Sequence, residues 1–454
     1  MDSQNQQMEK IISLTKRRGF IYQGSEIYGG LAGTWDYGPL GVQLKRNIAN
    51  LWWRFFVEQR QDMYGVDSAI LMNPKVWVAS GHVDTFNDPL IEDVKTKKRY
   101  RLDHVLEENG INPEGKTLDE MAALVKEKGI KSPEGNDFGA AAQFNLMFKT
   151  YVGPVQDETS VVYLRPETAQ GMFTNFRNVV DSLYPDLPFG LAQIGKSFRN
   201  EIAPRDFIFR VRELEIMEFE YFINPENWEA EFEKCLNMSR EWFKLVGLPI
   251  EKVHEREIPE TDRAHYSKRT VDFEFAYPFG IKEIGGIAYR TDFDLSNHER
   301  ASGRPQRYTP KEGGTPFVPH VIEPTFGLDR HVLAVLANAY TEDEMNGETR
   351  VFLKLPPQVA PVKIAVFPLL KNKPQLVEKA QAVFMELKKE FGMVVFDDNG
   401  NIGKRYRRQD EIGTPYCVTV DFDSLEDGTV TVRDRDTGNQ ERVAIAELSA
   451  RLKQ

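Results

Sequence analysis

Only two cysteines, Cys235 and Cys417, occur in 454 residues, and they stand far apart. That excludes a disulfide framework and fits a reducing, cytoplasmic setting. No run of about 18 apolar residues is present, so no membrane span is expected. The opening residues, MDSQNQQMEK, lack the apolar stretch of a secretory signal. There is no Walker A loop and no Rossmann glycine fingerprint. Cysteine and histidine do not cluster at metal-ligand spacing. His82, His104, His254, His265, His298, His320 and His331 are scattered, and each taken alone reads as structural. No nucleophile–base pair stands out. Lysine and arginine (58) are outnumbered by aspartate and glutamate (69), for a net charge of −11. That argues against a nonspecific nucleic-acid coat but allows an RNA enzyme whose basic surface is local.

The length implies two or three domains. Residues 41–63 read as a helix, because Leu44, Ile48, Leu51, Trp52, Phe55 and Phe56 form one apolar stripe. A short apolar run, Ser68–Met72, reads as a strand ending at Asn73-Pro74. The charged stretch 105–137, bounded by glycine and proline, reads as a surface insertion with a short helix at Leu118–Lys128. Residues 191–222 read as a long hairpin: Leu191–Glu201, a polar loop at Pro204-Arg205-Asp206, then Phe207–Phe222. A polar stretch, 223–270, opens with a helical segment, and strands return at Val271–Ala276 and Ile287–Phe293. Pro319–Thr325 and Arg330–Tyr340 read as strand and helix joined at Gly327. A proline cluster at Leu355-Pro356-Pro357 and Pro361 reads as a linker. Beyond it, strand Val362–Phe367, helix Gln375–Phe391, strand Gly392–Phe396, a glycine-basic loop and strand Tyr416–Asp421 suggest a small α/β domain.

On a hairpin, residues two apart share a face. Arg199 and Glu201 would then share one face, and Arg210, Arg212 and Glu218 another. Arginines on such a surface can clamp phosphate in bidentate fashion, and glutamates can hold an ammonium group or a metal. A cross-strand ladder of salt bridges is the competing reading. In Glu323-Pro324-Thr325-Phe326-Gly327-Leu328-Asp329-Arg330 a strand turns at a glycine and an arginine opens a helix. That arginine could meet a phosphate or lie on an aromatic base, or simply make a salt bridge at the helix start.

These residues resemble the three motifs of class II aminoacyl-tRNA synthetases: Leu44–Pro74, the FRxE of Phe198–Glu201, and Gly327–Arg330. Longer strings resemble the homodimeric type of glycyl-tRNA synthetase. They are WDYGPLG at Trp35–Gly41, RPETAQG at Arg165–Gly171, QIGKSFRNEIAPR at Gln193–Arg205 and FRVRELEIMEFEYF at Phe209–Phe222. YRTDFDL at Tyr289–Leu295, PHVIEPTFGLDR at Pro319–Arg330 and IGKRYRRQDEIGTPYCVTVDF at Ile402–Phe422 complete the set.

The resemblance implies an α+β fold: a six-stranded antiparallel catalytic sheet flanked by helices, followed by an α/β anticodon-binding domain. The expected boundaries are 1–350 for the catalytic part, with insertions about 90–160 and 223–270, then a linker at 351–360 and the anticodon domain at 361–454. Leu44–Pro74 would build a homodimer interface. The implied activity is ligation of glycine to tRNA(Gly) with ATP and Mg²⁺, in the cytoplasm. Arg199, Glu201 and Arg330 would be catalytic. The ATP set would be Arg199, Asn200, Glu201, Phe209, Arg210, Val211, Arg212, Glu213, Leu214, Glu283, Ile284, Gly327, Leu328, Asp329 and Arg330. Glu283 would also hold the Mg²⁺ that accompanies ATP. The glycine set would be Arg101, Glu167, Leu214, Glu215, Ile216, Met217, Glu218, Glu323, Pro324, Thr325, Phe326 and Gly327. Lys404, Arg405, Arg407 and Arg408, around Tyr406, would meet tRNA.

Three departures from the family pattern stand out. Leu214 replaces an aromatic that would stack on adenine, Thr325 replaces a serine, and Glu92–Arg99 lacks the cysteines of a metal knuckle. No structural zinc is therefore expected. Two other readings compete: a non-catalytic nucleic-acid-binding relative, and a synthetase for another small amino acid. Retention of Arg199, Glu201, Arg210 and Arg330 opposes the first, and the acids Glu167, Glu218 and Glu323 oppose the second.

Overall fold

The computed structural model describes residues 2–264, 266–345 and 347–453, so His265 lies outside the described residues. Seven strands form the main sheet. In chain order they are β1 (Met63–Gly65), β2 (Phe189–Phe198), β3 (Glu213–Ile223), β4 (Val253–Glu257), β5 (Arg269–Tyr277), β6 (Gly280–Thr291) and β7 (His320–Gly327). Their spatial order is β4-β5-β6-β7-β3-β2-β1. The first six are antiparallel neighbours, and only the short β1 runs parallel to β2. The expected antiparallel sheet is therefore present, with one parallel edge strand added.

Strand periodicity divides the residues of this sheet. Met217, Phe219 and Tyr221 of β3 enter the large core with Ile287, Tyr289, Ile322 and Phe326. That face is covered by helices α1 (Pro39–Trp53), α3 (Trp228–Leu245) and α4 (Leu328–Ala339). Helix α2 (Ala169–Leu183) covers the other face, where Phe173 and Phe176 pack with Phe189, Leu191 and Phe222. Burying a side chain of this kind stabilises by roughly 1.5–3 kcal/mol, so both faces are firmly held.

Several expected boundaries shift. The apolar stripe of α1 does bury Leu44, Ile48, Trp52 and Phe56, but the regular helix ends at Trp53 and continues as one π-type turn, Arg54–Glu58. Ser68–Met72 is extended coil carrying a single bridge, Leu71 to Leu164. Asn73 accepts from the Lys75 backbone N–H and starts a short helix, Pro74–Ala79, instead of ending a strand. The charged insertion is more than surface loop. Its helices Leu102–Glu108 and Leu118–Glu127 pack on a three-stranded sheet through Ile91, Leu102, Val105, Leu106, Met121 and Val125. The proline segment is not a loose linker either: Leu355, Val359 and Ala360 are buried in the main core, and Asn47 donates to the carbonyls of Val359 and Ala360.

The C-terminal unit carries a five-stranded sheet in which Ile364–Pro368 lies between two parallel neighbours, Val394–Phe396 and Tyr416–Val420. The stretch read as a glycine-basic loop contains instead helix α5, Ile402–Ile412, started by the Asn401 side chain on the Lys404 N–H.

Candidate active site

The hairpin arms are shorter than their sequence suggests. Residues 199–212 leave the ladder as a long loop between β2 and β3. Asp206 and Phe207 both have φ of 59°, a left-handed conformation that an extended strand cannot continue through. The shared-face argument for Arg199, Glu201, Arg210 and Arg212 is thus corrected: the loop, not the pleat, gathers these side chains. Six of the expected residues line a cleft at this loop: Arg199, Glu201, Phe209, Arg210, Val211 and Leu214. Gly327, Asp329 and Arg330 line its other wall.

Within the cleft Arg210 stands 3.7 Å from Glu201. One guanidinium nitrogen of Arg210 and one carboxylate oxygen of Glu201 are buried without a hydrogen-bond partner. These are the two atoms that face each other across that ion pair, too far apart to hydrogen-bond, so each keeps hydrogen-bonding capacity for a polar occupant of the cleft. The Arg330 guanidinium lies over the Phe209 ring and reaches the carbonyl and the carboxylate of Glu283, at 3.0 and 3.1 Å. Glu283 owes its direction to a β-bulge between β5 and β6. The extra residue lets Ile284 join Ile287 in the core, which turns Glu283 to the cleft face. Asp272, on the same side, has its carboxyl pushed up to about 7, first by burial and then by the Glu283 charge.

Other expected ATP residues, and Asp329 at the cleft wall, make structural contacts. Arg212 donates to the carbonyls of Ala32 and Glu201, and Glu213 pairs with Lys196 at the surface. The Asn200 N–H donates to the Leu146 carbonyl. Leu328 is a core residue. Asp329 accepts from the Tyr37 hydroxyl at 2.5 Å, from Lys45 at 3.1 Å and from the Glu215 N–H at 2.7 Å. It therefore ties α1, β3 and α4 together beneath Arg330.

Beside the cleft, the same sheet face carries a buried acidic pocket. Glu218 accepts from Thr168 at 2.5 Å and from Thr325 at 2.7 Å. Glu323 accepts from Arg290 at 2.8 Å, and Arg290 also grips both oxygens of Asp294, at 2.7 and 2.9 Å. Glu167 lies 3.2 Å from His82 Nε2 and accepts from Gln170 at 3.1 Å. Burial pushes the Glu323 carboxyl up to about 8 against the pull of Arg290. Glu218 is likewise raised, by burial and by the charge of Glu167. Burial would raise Glu167 too, but His82 and Arg290 hold it well below the usual range. The pocket thus has more acid than base and suits a small cation.

Alternation removes some expected glycine residues from this pocket. Glu215 points to the opposite face and pairs with Lys45 at 2.7 Å, while Met217 and Phe326 enter the core and Pro324 shares the parity of Phe326. Ile216 is buried on the pocket side of β3. Arg101 belongs to the insertion, where Asp88 and Asp103 hold its guanidinium. Asp88 is pushed up to about 6 by burial, against the pull of Arg101, with Glu201 adding to the rise. Arg290, Asp294 and Glu220 were not singled out in the sequence. Their signals were the i,i+4 spacing of Arg290 and Asp294 and the shared parity of Glu220 with Glu218.

In the C-terminal unit, Arg405 is buried and donates to the carbonyls of Pro368, Asp398 and Gly400. Arg408 pairs with Asp397, Arg407 stands near Glu348, and Lys404 is exposed.

An antiparallel sheet with an arginine-lined cleft beside a buried acid pocket, followed by a mixed α/β unit, defines a class II synthetase architecture. Residues 148–339 match the tRNA synthetase class II core domain (G, H, P, S and T), and residues 363–454 match the anticodon binding domain. Over 455 residues the chain is 49% identical to the glycine–tRNA ligase of Caldanaerobacter subterraneus subsp. tengcongensis, covering 98% of each chain. It is 49% identical to that of Deinococcus radiodurans, covering 97% of each, and 50% identical to that of Lachnospira eligens, covering 98% of this chain and 97% of the relative. The chain belongs to the glycine–tRNA ligase family. Among the described residues no helix is long and apolar enough to cross a membrane.

Proposed function

We propose that the chain activates glycine with ATP to glycyl-adenylate and pyrophosphate, then passes glycine to the 3′-terminal adenosine of tRNA(Gly). The observation that carries this reading is the juxtaposition of two sites on one sheet face: the Arg199–Arg210–Arg330 cleft and the Glu167–Glu218–Glu323 pocket. The glycine ammonium would rest among the three glutamates, with the Thr325 hydroxyl beside them. Its carboxylate would attack the α-phosphate in line. A carboxylate is already a nucleophile, so no general base is needed, in keeping with the lack of one. Arg199 would hold the α-phosphate, Arg210 the outer phosphates, and Arg330 the adenine ring, stabilising charge as it moves to pyrophosphate. Arg101, released from Asp88 and Asp103, would close over the substrate.

Oxygen ligands suit Mg²⁺, and the fit is good here. Glu283 pairs with Arg330 at the cleft wall, and the Glu201 carboxylate lies in the cleft beside Arg210. When bound with ATP, Mg²⁺ neutralises phosphate charge. Rejection of larger amino acids follows from crowding at the pocket, so no editing step is required.

We assign residues 1–350 to catalysis and 361–454 to anticodon recognition, with Lys404, Arg407 and Arg408 as the tRNA-facing charges. Homodimerisation through the 44–74 region is supported by the half-buried Leu51 and Phe55. They line an open depression of about 650 Å³ with Leu245 and Gln358. A cytoplasmic location is supported by the two buried free thiols. The test is charging of tRNA(Gly) transcript with labelled glycine. Acid-labile glycyl-tRNA formed only with ATP supports the reading, and none with a folded protein overturns it.

A further inference from the structure

We propose that Glu220 is a positioning residue of the glycine pocket: it keeps a proton while the pocket is empty, and releases that proton to solvent when a primary ammonium enters. This rests on the reading of Glu167, Glu218 and Glu323 as the ammonium-binding acids. Glu220 lies two residues along β3 from Glu218, so both side chains leave the same face. The register pairs Glu218 with Thr325 and Tyr221 with Ile322, which sets Glu220 across from Glu323. Like charges opposed on paired strands repel. Glu218, Glu220 and Glu323 each have an oxygen within 4.8 Å of the other two. Glu220 is fully buried, and neither of its oxygens has a hydrogen-bond partner. Ionised, it would have neither water nor a counter-charge of its own.

The charged groups that bear on it are few: Glu218 on its own strand, Glu323 on β7, Arg290 on β6 and Asp294 just beyond β6. On β2 the opposed residue is Leu191, and α2 brings Phe173 and Phe176 to that face. Arg290 is already committed to Asp294 and Glu323. Burial first, then Glu323 and Glu218, push the Glu220 carboxyl well above the carboxylate range. In the empty pocket the proton on Glu220 relieves the repulsion with Glu218 and Glu323. An entering ammonium brings one positive charge into the same space. The Glu220 O–H bond then breaks, the proton passes to water, and the net charge of the cluster is unchanged. Glycine affinity therefore rises with pH, by up to about tenfold per pH unit while the cluster retains its proton.

The experiment is calorimetric titration of the full chain with a non-hydrolysable glycyl-adenylate analogue bearing a free amino group. Buffers of different ionisation enthalpy report the protons released, and the des-amino analogue is the control. Wild type should release about one proton per amino analogue bound and none with the control. Glu220→Gln should bind without release and lose the pH dependence of affinity. Glu220→Asp, which keeps an acid, should restore both and serves if the glutamine variant fails to fold. Unchanged proton release in Glu220→Gln, or none in wild type, overturns the proposal. Equal affinity for the amino and des-amino analogues would instead sink the reading of the pocket as an ammonium site.

Discussion

The guanidinium carbon of Arg330 lies 4.4 Å from the centroid of the Phe209 ring. Phe209 is itself held edge-on by Tyr277 and Phe279, with centroids 5.3 Å away in each case. One wall of the cleft is therefore an arginine plane backed by aromatic packing, while Leu214, which also lines the cleft, offers no ring.

Leu214→Phe should accordingly tighten ATP binding. An aromatic stack contributes about 0.5–1.5 kcal/mol beyond area burial, so the KM for ATP should fall roughly twofold to tenfold. The KM for glycine should hold steady. Initial-rate kinetics at varied ATP check this, and an unchanged or higher ATP KM would show that Leu214 does not face the base.

Arg290 grips both Asp294 and Glu323. Arg290→Met would leave these two buried acids without the cation they share. Breaking such a pair by removing one partner costs about 3–5 kcal/mol. Urea unfolding should show a loss of that order, together with a steep rise in the glycine KM. A variant as stable as wild type would contradict the burial argument.

Arg405 and Lys404 are neighbours with opposite expected phenotypes. Arg405→Met removes charged hydrogen bonds to three carbonyls, each worth about 1.5–3 kcal/mol, and should destabilise the C-terminal unit. Lys404→Ala, at an exposed position, should leave stability unchanged but raise the tRNA KM and lower its salt dependence. Thermal unfolding and charging kinetics at two salt concentrations separate the two effects.

Asp272, with its carboxyl raised to about 7 by burial and then by Glu283, should make stability pH-dependent. The folded form holds the proton more tightly than the unfolded chain. Its contribution is full below the unfolded value, 3.8, and is lost as pH rises through about 7. Asp272→Asn should therefore gain on wild type by on the order of 1 kcal/mol between about pH 5 and pH 8, allowing for partial solvation. Melting temperatures at those two pH values provide the check.

Much of this architecture is legible in the residue order because periodicity reports burial. Leu44, Ile48, Trp52 and Phe56 declare a helix face, and the β7–Gly327–α4 corner declares itself through one glycine. The failures are equally physical. Residues 199–212 keep a strand-like alternation, but the left-handed Asp206 and Phe207 break the ladder, and no glycine marks the place. Helix α5 was hidden because its buried face carries Arg405, Gln409 and Asp410, whose partners are backbone carbonyls, the Thr414 hydroxyl and the arginines Arg350 and Arg433. The bulge that turns Glu283 to the cleft depends on pairing with β5. Arg290 and Glu220 acquire meaning only through the register that sets them beside Glu323, a relation no local spacing reveals.

The most direct measurement is amino-acid-dependent ATP–pyrophosphate exchange by the purified chain with glycine, alanine, serine or no amino acid. Exchange with glycine alone is the predicted result, since it requires the arginine cleft and the acid pocket to act on one substrate. Exchange with alanine or serine at a comparable rate, or none with glycine from a folded protein, would contradict the account.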